Sequence, residues 1–124
     1  MQKHVQATGL ASAETMWAAY TDTSNWASWA PHIHSVDPLG IIYAGMRGVV
    51  EGPFRSRARF EVTSVNEAQR LWTWEVRLGP VHLVIDHEVA EGDTAVTIEG
   101  PAPFVLAYAP VARRALERLV NLPS

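Results

Sequence analysis

The sequence predicts a single α+β domain in which a curved antiparallel β-sheet wraps around one long C-terminal helix. From residue 48 onward, hydrophobic and polar residues alternate with the period of half-buried strands, and short turn-forming segments separate the runs. The segment Pro103–Asn121 then changes to the i, i+3, i+4, i+7 spacing of an amphipathic helix. A sheet with one apolar face needs a cover, and this helix is the only predicted element long enough to supply it.

The N-terminal part of the chain predicts one strand followed by two short helices. Apolar and polar residues alternate over residues 5–9, which indicates a strand. Ser12 is a good N-cap for a helix over about Ala13–Tyr20. The next four residues are polar and favour a break before a second short helix that ends near Trp29. Pro31 prevents that helix from continuing.

The central part predicts five strands in an antiparallel meander, because the connections between them are too short for crossovers. An Asp-Pro-Leu-Gly segment at residues 37–40 predicts a turn before the first of these strands. In the last helix, Pro110 either introduces a kink or marks the true start. The predicted strands are Gly48–Glu51, Arg57–Val65, Leu71–Leu78, Val81–Val89 and Thr94–Glu99.

Composition narrows the classes of function. A length of 124 residues, 48% of them hydrophobic, suits one globular domain over residues 1–124 without linkers or repeats. A net charge of −3 argues against a nucleic-acid partner. The chain has no cysteine, no secretory signal pattern and no apolar stretch long enough for a membrane span. We therefore expect a cytoplasmic protein.

One face of the predicted sheet is apolar, with a single exception. Successive strand residues point to opposite faces, so Trp72, Trp74 and Val76 share a face. In the next strand, the same reasoning places His87 in an apolar row with Ile85. Such a histidine is either a donor in a cavity or a core residue bonded to a backbone carbonyl or a water. The residues alone favour the core interpretation.

The aromatic residues allow two interpretations. Trp72 and Trp74 on the sheet, with Trp29 and Tyr108 on the covering elements, could line a ligand cavity. Alternatively, they could fill the core, since a short chain has little volume to leave empty. We expect Trp17 and Trp72 to fill the core, and Trp29, Trp74 and Tyr108 to line a cavity.

Other candidate chemistry has weaker support. His32 and His34 would share a face if they lie in a strand, but zinc requires three or four ligands and no suitably spaced partners follow. We therefore expect no metal, and no nucleotide-binding loop is present. Arg55, Arg57 and Arg59 alternate along one predicted strand face, which indicates a solvated surface facing Glu75 and Arg77. Arg47 and Glu51 could point inward as acid, base or anion-holding groups.

Two segments resemble a known family. The stretch Ala11–Pro31, with its three indoles, resembles the opening of the polyketide cyclase/dehydrase branch of the START-like (Bet v 1-like, SRPBCC) superfamily. The His87-Glu88-Val89 step before the Gly92–Thr97 hairpin is also common there. The resemblance extends from Val5 to about Leu122. It implies a helix-grip fold that encloses a hydrophobic cavity.

The resemblance implies two functions, and the residues leave a third open. The first is a carrier or sensor for a hydrophobic lipid, polyketide or aromatic ligand, without a cofactor, acting as a monomer or homodimer. The second is a cyclase/dehydratase in which His87 shuttles protons and Tyr108 donates a hydrogen bond to a carbonyl. The third is an interaction module whose cavity has collapsed around the indoles. The predicted ligand-binding residues are Trp29, Phe60, Trp72, Trp74, Ile85, His87, Val105, Tyr108 and Ala112.

Overall fold

A computed structural model describes residues 1–123 and confirms the predicted helix-grip class. Seven antiparallel strands form one sheet in the order β1-β7-β6-β5-β4-β3-β2, and the C-terminal helix packs across it. The strands are β1 (Gln2–Thr8), β2 (Ser35–Asp37), β3 (Arg47–Glu51), β4 (Arg57–Asn66), β5 (Leu71–Leu78), β6 (Val81–Ala90) and β7 (Asp93–Glu99).

Three α-helices cover the concave face: α1 (Ala13–Thr21), α2 (Trp26–Trp29) and α3 (Ala102–Leu119). The Ser12 hydroxyl caps α1 by accepting a hydrogen bond from the Thr15 amide at 3.1 Å. The helix α3 runs through Pro110 without interruption, so this proline is internal and does not mark the start. Single 3₁₀ turns at Thr23–Asn25 and Pro53–Arg55 complete the regular structure.

Two features of the sheet differ from the sequence prediction. Residues 32–34 lie before β2, in a turn, and not in a strand. The sequence did not predict β2, because its three residues are too few to show an alternating pattern. In β4, the register with β5 shifts between Val62 and Ser64. This bulge adds a residue to one strand, so the inner face passes from Val62 to Val65, which pairs with Trp72.

The sheet has two ends that matter for the site. We call one the open end: it is formed by the β3–β4 connection at residues 52–56, the β5–β6 turn at 79–80 and the start of α3. We call the other the packed end: it is formed by residues 38–46, the β4–β5 turn at 67–70 and the β6–β7 turn at 91–92. The interior differs between these ends.

Candidate functional site

Four indoles from two elements fill the interior toward the packed end. Trp26 and Trp29 come from α2, whereas Trp72 and Trp74 come from the inner face of β5. The ring of Trp26 stacks on that of Trp72, with centroids 5.8 Å apart, and meets Trp74 edge-on at 5.1 Å. All four side chains are buried. Such aromatic contacts contribute beyond the area they bury, so this cluster is a stabilising core element.

Hydrogen bonds fix two of these indoles. Trp26 Nε1 donates to the Tyr20 carbonyl at 2.9 Å, and Trp29 Nε1 donates to the Ala19 carbonyl at 3.2 Å. Both carbonyls belong to the last turns of α1, where helix carbonyls lack intrahelical partners. The short helix α2 is therefore tied to α1 by its own indoles.

His87 is part of the same cluster. Its ring stacks on Trp72 with the centroids 3.8 Å apart, and its Nδ1 donates to the Trp72 carbonyl at 3.2 Å. Burial lowers the pKa of His87 to about 3, so the imidazole is neutral at physiological pH. These contacts are those of a core histidine bonded to a backbone carbonyl.

Two cavities lie along the inner face of the sheet. The smaller, of about 30 Å³, lies among the aromatic rings and has room for one or two water molecules. The larger, of about 400 Å³, lies at the open end. Its walls are mainly apolar. The strands β5 and β6 and the helix α3 contribute Val76, Leu78, Val81, Leu83, Ile85, Phe104, Ala107 and Val111. The strands β3 and β4 and their connection form the other wall, where Glu51 and Arg57 stand. The interior is thus nearly filled at one end and hollow at the other.

The predicted ligand-binding residues separate into three groups. Trp74, Ile85 and Tyr108 line the large cavity, as well as the small one. Neither cavity is lined by Phe60 or Val105, although both are buried. Phe60 instead packs over Gly48, where an added Cβ would lie 2.7 Å from Phe60 Cζ. The remaining predicted residues line only the small cavity: Trp29, Trp72, His87 and Ala112.

A polar pair stands where the two cavities meet, and sequence reasoning missed it. His32 Nε2 and Tyr108 Oη lie 3.3 Å apart, and both residues line both cavities. Their rings meet edge-on with centroids 5.7 Å apart. His32 is half-buried rather than solvated, whereas His34 is exposed, so the two imidazoles do not share a face. The only sequence signal was the position of His32 directly after the indole-rich turn.

Burial shifts both members of this pair away from ionisation. It lowers the pKa of His32 to about 4 and raises the pKa of Tyr108 to about 12. Both are therefore uncharged near neutral pH. His32 Nδ1 is buried and has no hydrogen-bond partner within residues 1–123.

The charged residues considered as inward groups point outward. Val50 points from β3 into the protein interior. Because side chains alternate along a strand, Arg47 and Glu51 point to the opposite face. The Arg47 side chain is 77% exposed and its Nε lies 3.2 Å from Glu61 Oε1. Glu51 is exposed at the rim of the large cavity. Neither residue is a buried acid or base.

The arginine row is also shorter than predicted. Arg55 belongs to the 3₁₀ turn, so only Arg57 and Arg59 lie in β4. Arg59 pairs directly with Arg77 across the strands, and Glu61 pairs with Glu75. Glu75 Oε1 instead lies 2.6 Å from His82 Nε2.

Neither metal-binding nor membrane-spanning features are found among residues 1–123. They contain no group of three or more His, Asp or Glu side chains that could hold a metal ion. No helix in this part of the chain is both long and apolar enough to cross a membrane.

A sheet that grips a helix around an apolar cavity defines a class of small-molecule-binding and polyketide-cyclase-type folds. The family described as "Polyketide cyclase / dehydrase and lipid transport" matches residues 4–121, and the chain belongs to it. This places the protein in the START-like (Bet v 1-like) superfamily. No curated protein sequence matches the chain.

Solved structures show the same fold at low sequence identity. XoxI from Bacillus cereus is 16% identical, with a TM-score of 0.76, over 95% of this chain and 92% of that one. Ara h 8.0201 is 13% identical, with a TM-score of 0.67, over 97% and 94%. A norcoclaurine synthase point mutant from Thalictrum flavum, in complex with a transition-state analogue, is 15% identical, with a TM-score of 0.62, over 97% and 93%.

Proposed function

We propose that this protein binds a neutral, largely apolar small molecule in the cavity at the open end, as a carrier or sensor. The observation that carries this proposal is the cavity of about 400 Å³ with mainly apolar walls. That volume lies within the usual range for small-molecule sites, and a few convergent polar groups in such a wall typically orient the ligand. The His32–Tyr108 pair is such a group.

The tautomer of His32 determines what this pair offers to a ligand. A neutral imidazole carries one hydrogen, on Nδ1 or on Nε2. A buried N–H without a partner is rarer in proteins than an under-used acceptor, and His32 Nδ1 has no partner in the described chain. We therefore assign the hydrogen to Nε2, which donates to Tyr108 Oη.

This assignment leaves the hydroxyl hydrogen of Tyr108 free. The phenol oxygen accepts from His32, and its own O–H can donate to an acceptor atom in the cavity. A carbonyl or ether oxygen on an otherwise apolar ligand suits this donor. A carboxylate suits it less well, because the one arginine in the lining, Arg57, is exposed and stands opposite the carboxylate of Glu51 across the strands.

The same residues bear on the alternative function, a cyclase/dehydratase. General acid–base catalysis is most effective when the pKa values of the acid and base lie near the working pH. Burial moves the pKa values of His32 and His87 to about 4 and about 3, and that of Tyr108 to about 12. These directions favour hydrogen-bonded recognition over proton transfer.

Native mass spectrometry of freshly purified protein, followed by extraction, tests ligand binding directly. We expect a co-purifying neutral compound or, if the protein is empty, saturable binding of Nile red. Ala107→Trp should abolish either signal, because Ala107 lines the large cavity from α3 and an indole there would occupy it. Ala68→Trp is the matched control, since Ala68 is exposed in the β4–β5 turn.

Two results would contradict the proposal. One is a protein that is empty and also fails to bind Nile red. The other is binding that Ala107→Trp leaves unchanged, which would place the ligand elsewhere.

A further inference from the structure

The first half of α3 is apolar on every side, although much of it is exposed. Residues 102–112 contain no charged side chain. Within this stretch Phe104 is 46% exposed and Leu106 is 50% exposed. A helix segment that is apolar all round normally lies inside a protein or in contact with lipid. The second half of α3 is different: Arg113, Arg114 and Glu117 there are exposed, as expected for a solvated face.

The β3–β4 connection adds a second exposed apolar group at the same end. Phe54 is fully exposed and has a φ of 58°, followed by Arg55 with a φ of 59°. Non-glycine residues rarely adopt this left-handed conformation. Ser56 holds the turn by donating to the Pro53 carbonyl from its amide and from its hydroxyl. Folding gains nothing from the Phe54 ring, because that ring contacts no core.

Phe104, Phe54 and a third apolar side chain, Leu78, surround the mouth of the large cavity. Phe104 and Leu78 line that cavity, and Leu78 is 47% exposed. Pro53 and Ser56 line it too, which places the turn that carries Phe54 at the rim. Three separate elements therefore present apolar side chains around one opening. We call this surface, formed by Phe54, Leu78 and Phe104, the apolar rim.

Arginines cluster beside the apolar rim. Arg55, Arg57 and Arg59 follow one another from the turn into β4, and all three are exposed. Arg77 stands opposite Arg59 on β5, near the β5–β6 turn. The carboxylates on these strands are Glu51, Glu61 and Glu75, and Glu61 is engaged by a further arginine, Arg47, so arginines outnumber carboxylates there. The protein as a whole carries a net charge of −3, so this end is locally positive against the overall charge.

From this combination we propose that the open end docks on a lipid bilayer containing anionic phospholipid. The apolar rim inserts at the level of the headgroups, and the arginines contact the lipid phosphates and carboxylates. The cavity mouth then faces the bilayer, so an apolar ligand passes between membrane and cavity without crossing water. The movement of ligand between membrane and cavity rests on the proposed ligand-binding function, whereas docking itself does not.

A second copy of the chain fits this surface less well. A two-fold interface places the same patch of both subunits face to face. The arginine clusters would then meet each other, which costs free energy unless anions separate them. An anionic bilayer supplies the opposite charge.

Co-sedimentation with vesicles tests docking. We expect the protein to bind phosphatidylcholine vesicles that contain phosphatidylserine, and to bind pure phosphatidylcholine vesicles at least about tenfold more weakly. Phe54→Asn should weaken binding by about tenfold, because it removes the ring and keeps a residue that tolerates positive φ. Arg55→Gln with Arg57→Gln should weaken binding similarly and reduce its dependence on salt.

The matched controls make the same kinds of substitution at exposed positions away from the apolar rim. Leu39→Asn removes a side chain that is 67% exposed at the packed end, and Arg113→Gln with Arg114→Gln removes two arginines from the outer face of α3. Both controls should bind vesicles within about twofold of the unchanged protein. Because Phe54 does not line the cavity, its variant should keep Nile red binding, which separates docking from ligand binding.

Three results would overturn the docking proposal. The first is no binding to either kind of vesicle. The second is a loss of vesicle binding in Leu39→Asn as large as that in Phe54→Asn. The third is a dimer, measured by light scattering, that Phe54→Asn dissociates, since the apolar rim would then belong to a second copy.

Discussion

The packed and open ends of the sheet are built from the same strands, yet one is nearly filled and the other is hollow. At the packed end, β5 contributes Trp72, and α2 covers it with a second indole. At the open end, the same face of β5 contributes Val76 and Leu78, and the cover is the first half of α3. Side-chain volume explains the difference, because an indole fills the gap between sheet and helix and an isopropyl group does not.

The comparison also shows how one fold keeps a cavity without losing its core. The aromatic cluster stabilises the domain through packing that no ligand needs to complete. The open end then has room for a ligand, and the His32–Tyr108 pair marks the boundary between the two regions.

The largest expected effect is on stability at the packed end. Trp72→Ala should lower the free energy of unfolding by about 3–5 kcal/mol, because it leaves a cavity inside a close-packed cluster. Val76→Ala should cost about 1 kcal/mol, since the half-buried Val76 already faces empty space. Chemical denaturation of both variants measures the difference. Equal losses would mean that the two ends are packed alike.

A second prediction concerns pH. Burial lowers the pKa of His87 from 6.5 to about 3, so at intermediate pH the unfolded chain binds a proton that the folded chain excludes. Stability therefore falls as pH drops below about 6.5, by about 2 kcal/mol between about pH 7.5 and pH 5 from this group alone. His32, whose pKa burial lowers to about 4, acts in the same direction.

Urea midpoints measured across that pH range test this linkage. His87→Phe keeps an aromatic ring beside Trp72 and removes the titration, so it should remove about half of the pH dependence. His34→Gln, at an exposed position, should leave the pH dependence unchanged. A pH dependence that survives in His87→Phe at full size would show that other groups cause it.

The smallest expected effect concerns recognition at the boundary. Tyr108→Phe should weaken binding of acetylnaphthalene by about 1 kcal/mol and leave ethylnaphthalene unaffected, because only the first ligand accepts the hydroxyl hydrogen. Titration followed by tryptophan fluorescence measures both affinities, since Trp74 lines the cavity. Tyr43→Phe, at an exposed hydroxyl, is the control. Equal changes in affinity for the two ligands would show that the Tyr108 hydroxyl does not bind the ligand carbonyl, although the ligand could still bind in the cavity.

Local patterns predicted most of the fold. The alternation in β5 gave the bounds Leu71–Leu78, and the cap at Ser12 gave the start of α1. The same alternation placed His87 among buried residues, and the structure shows it bonded to a backbone carbonyl. These features depend on residues close together in the chain, which is why they can be read from it.

The missed features depend on residues that are distant in the chain or on small irregularities. The bulge in β4 moves the inner face to Val65, and nothing in the alternation marks the extra residue. Arg47 could have pointed inward until the register with β4 placed it beside Glu61. A five-residue strand contains too few alternations to show by itself which face of the sheet Arg47 is on.

The sequence by itself therefore determined the helix-grip class, the apolar inner face and the family resemblance, because period and turn chemistry are local properties. Only the tertiary structure decided where the interior is empty, since that depends on which side chains meet across sheet and helix. It also brought His32 to Tyr108, 76 residues further along the chain, and gathered Phe54, Leu78 and Phe104 around one opening. Contacts between distant segments arise from packing, and no local pattern encodes them.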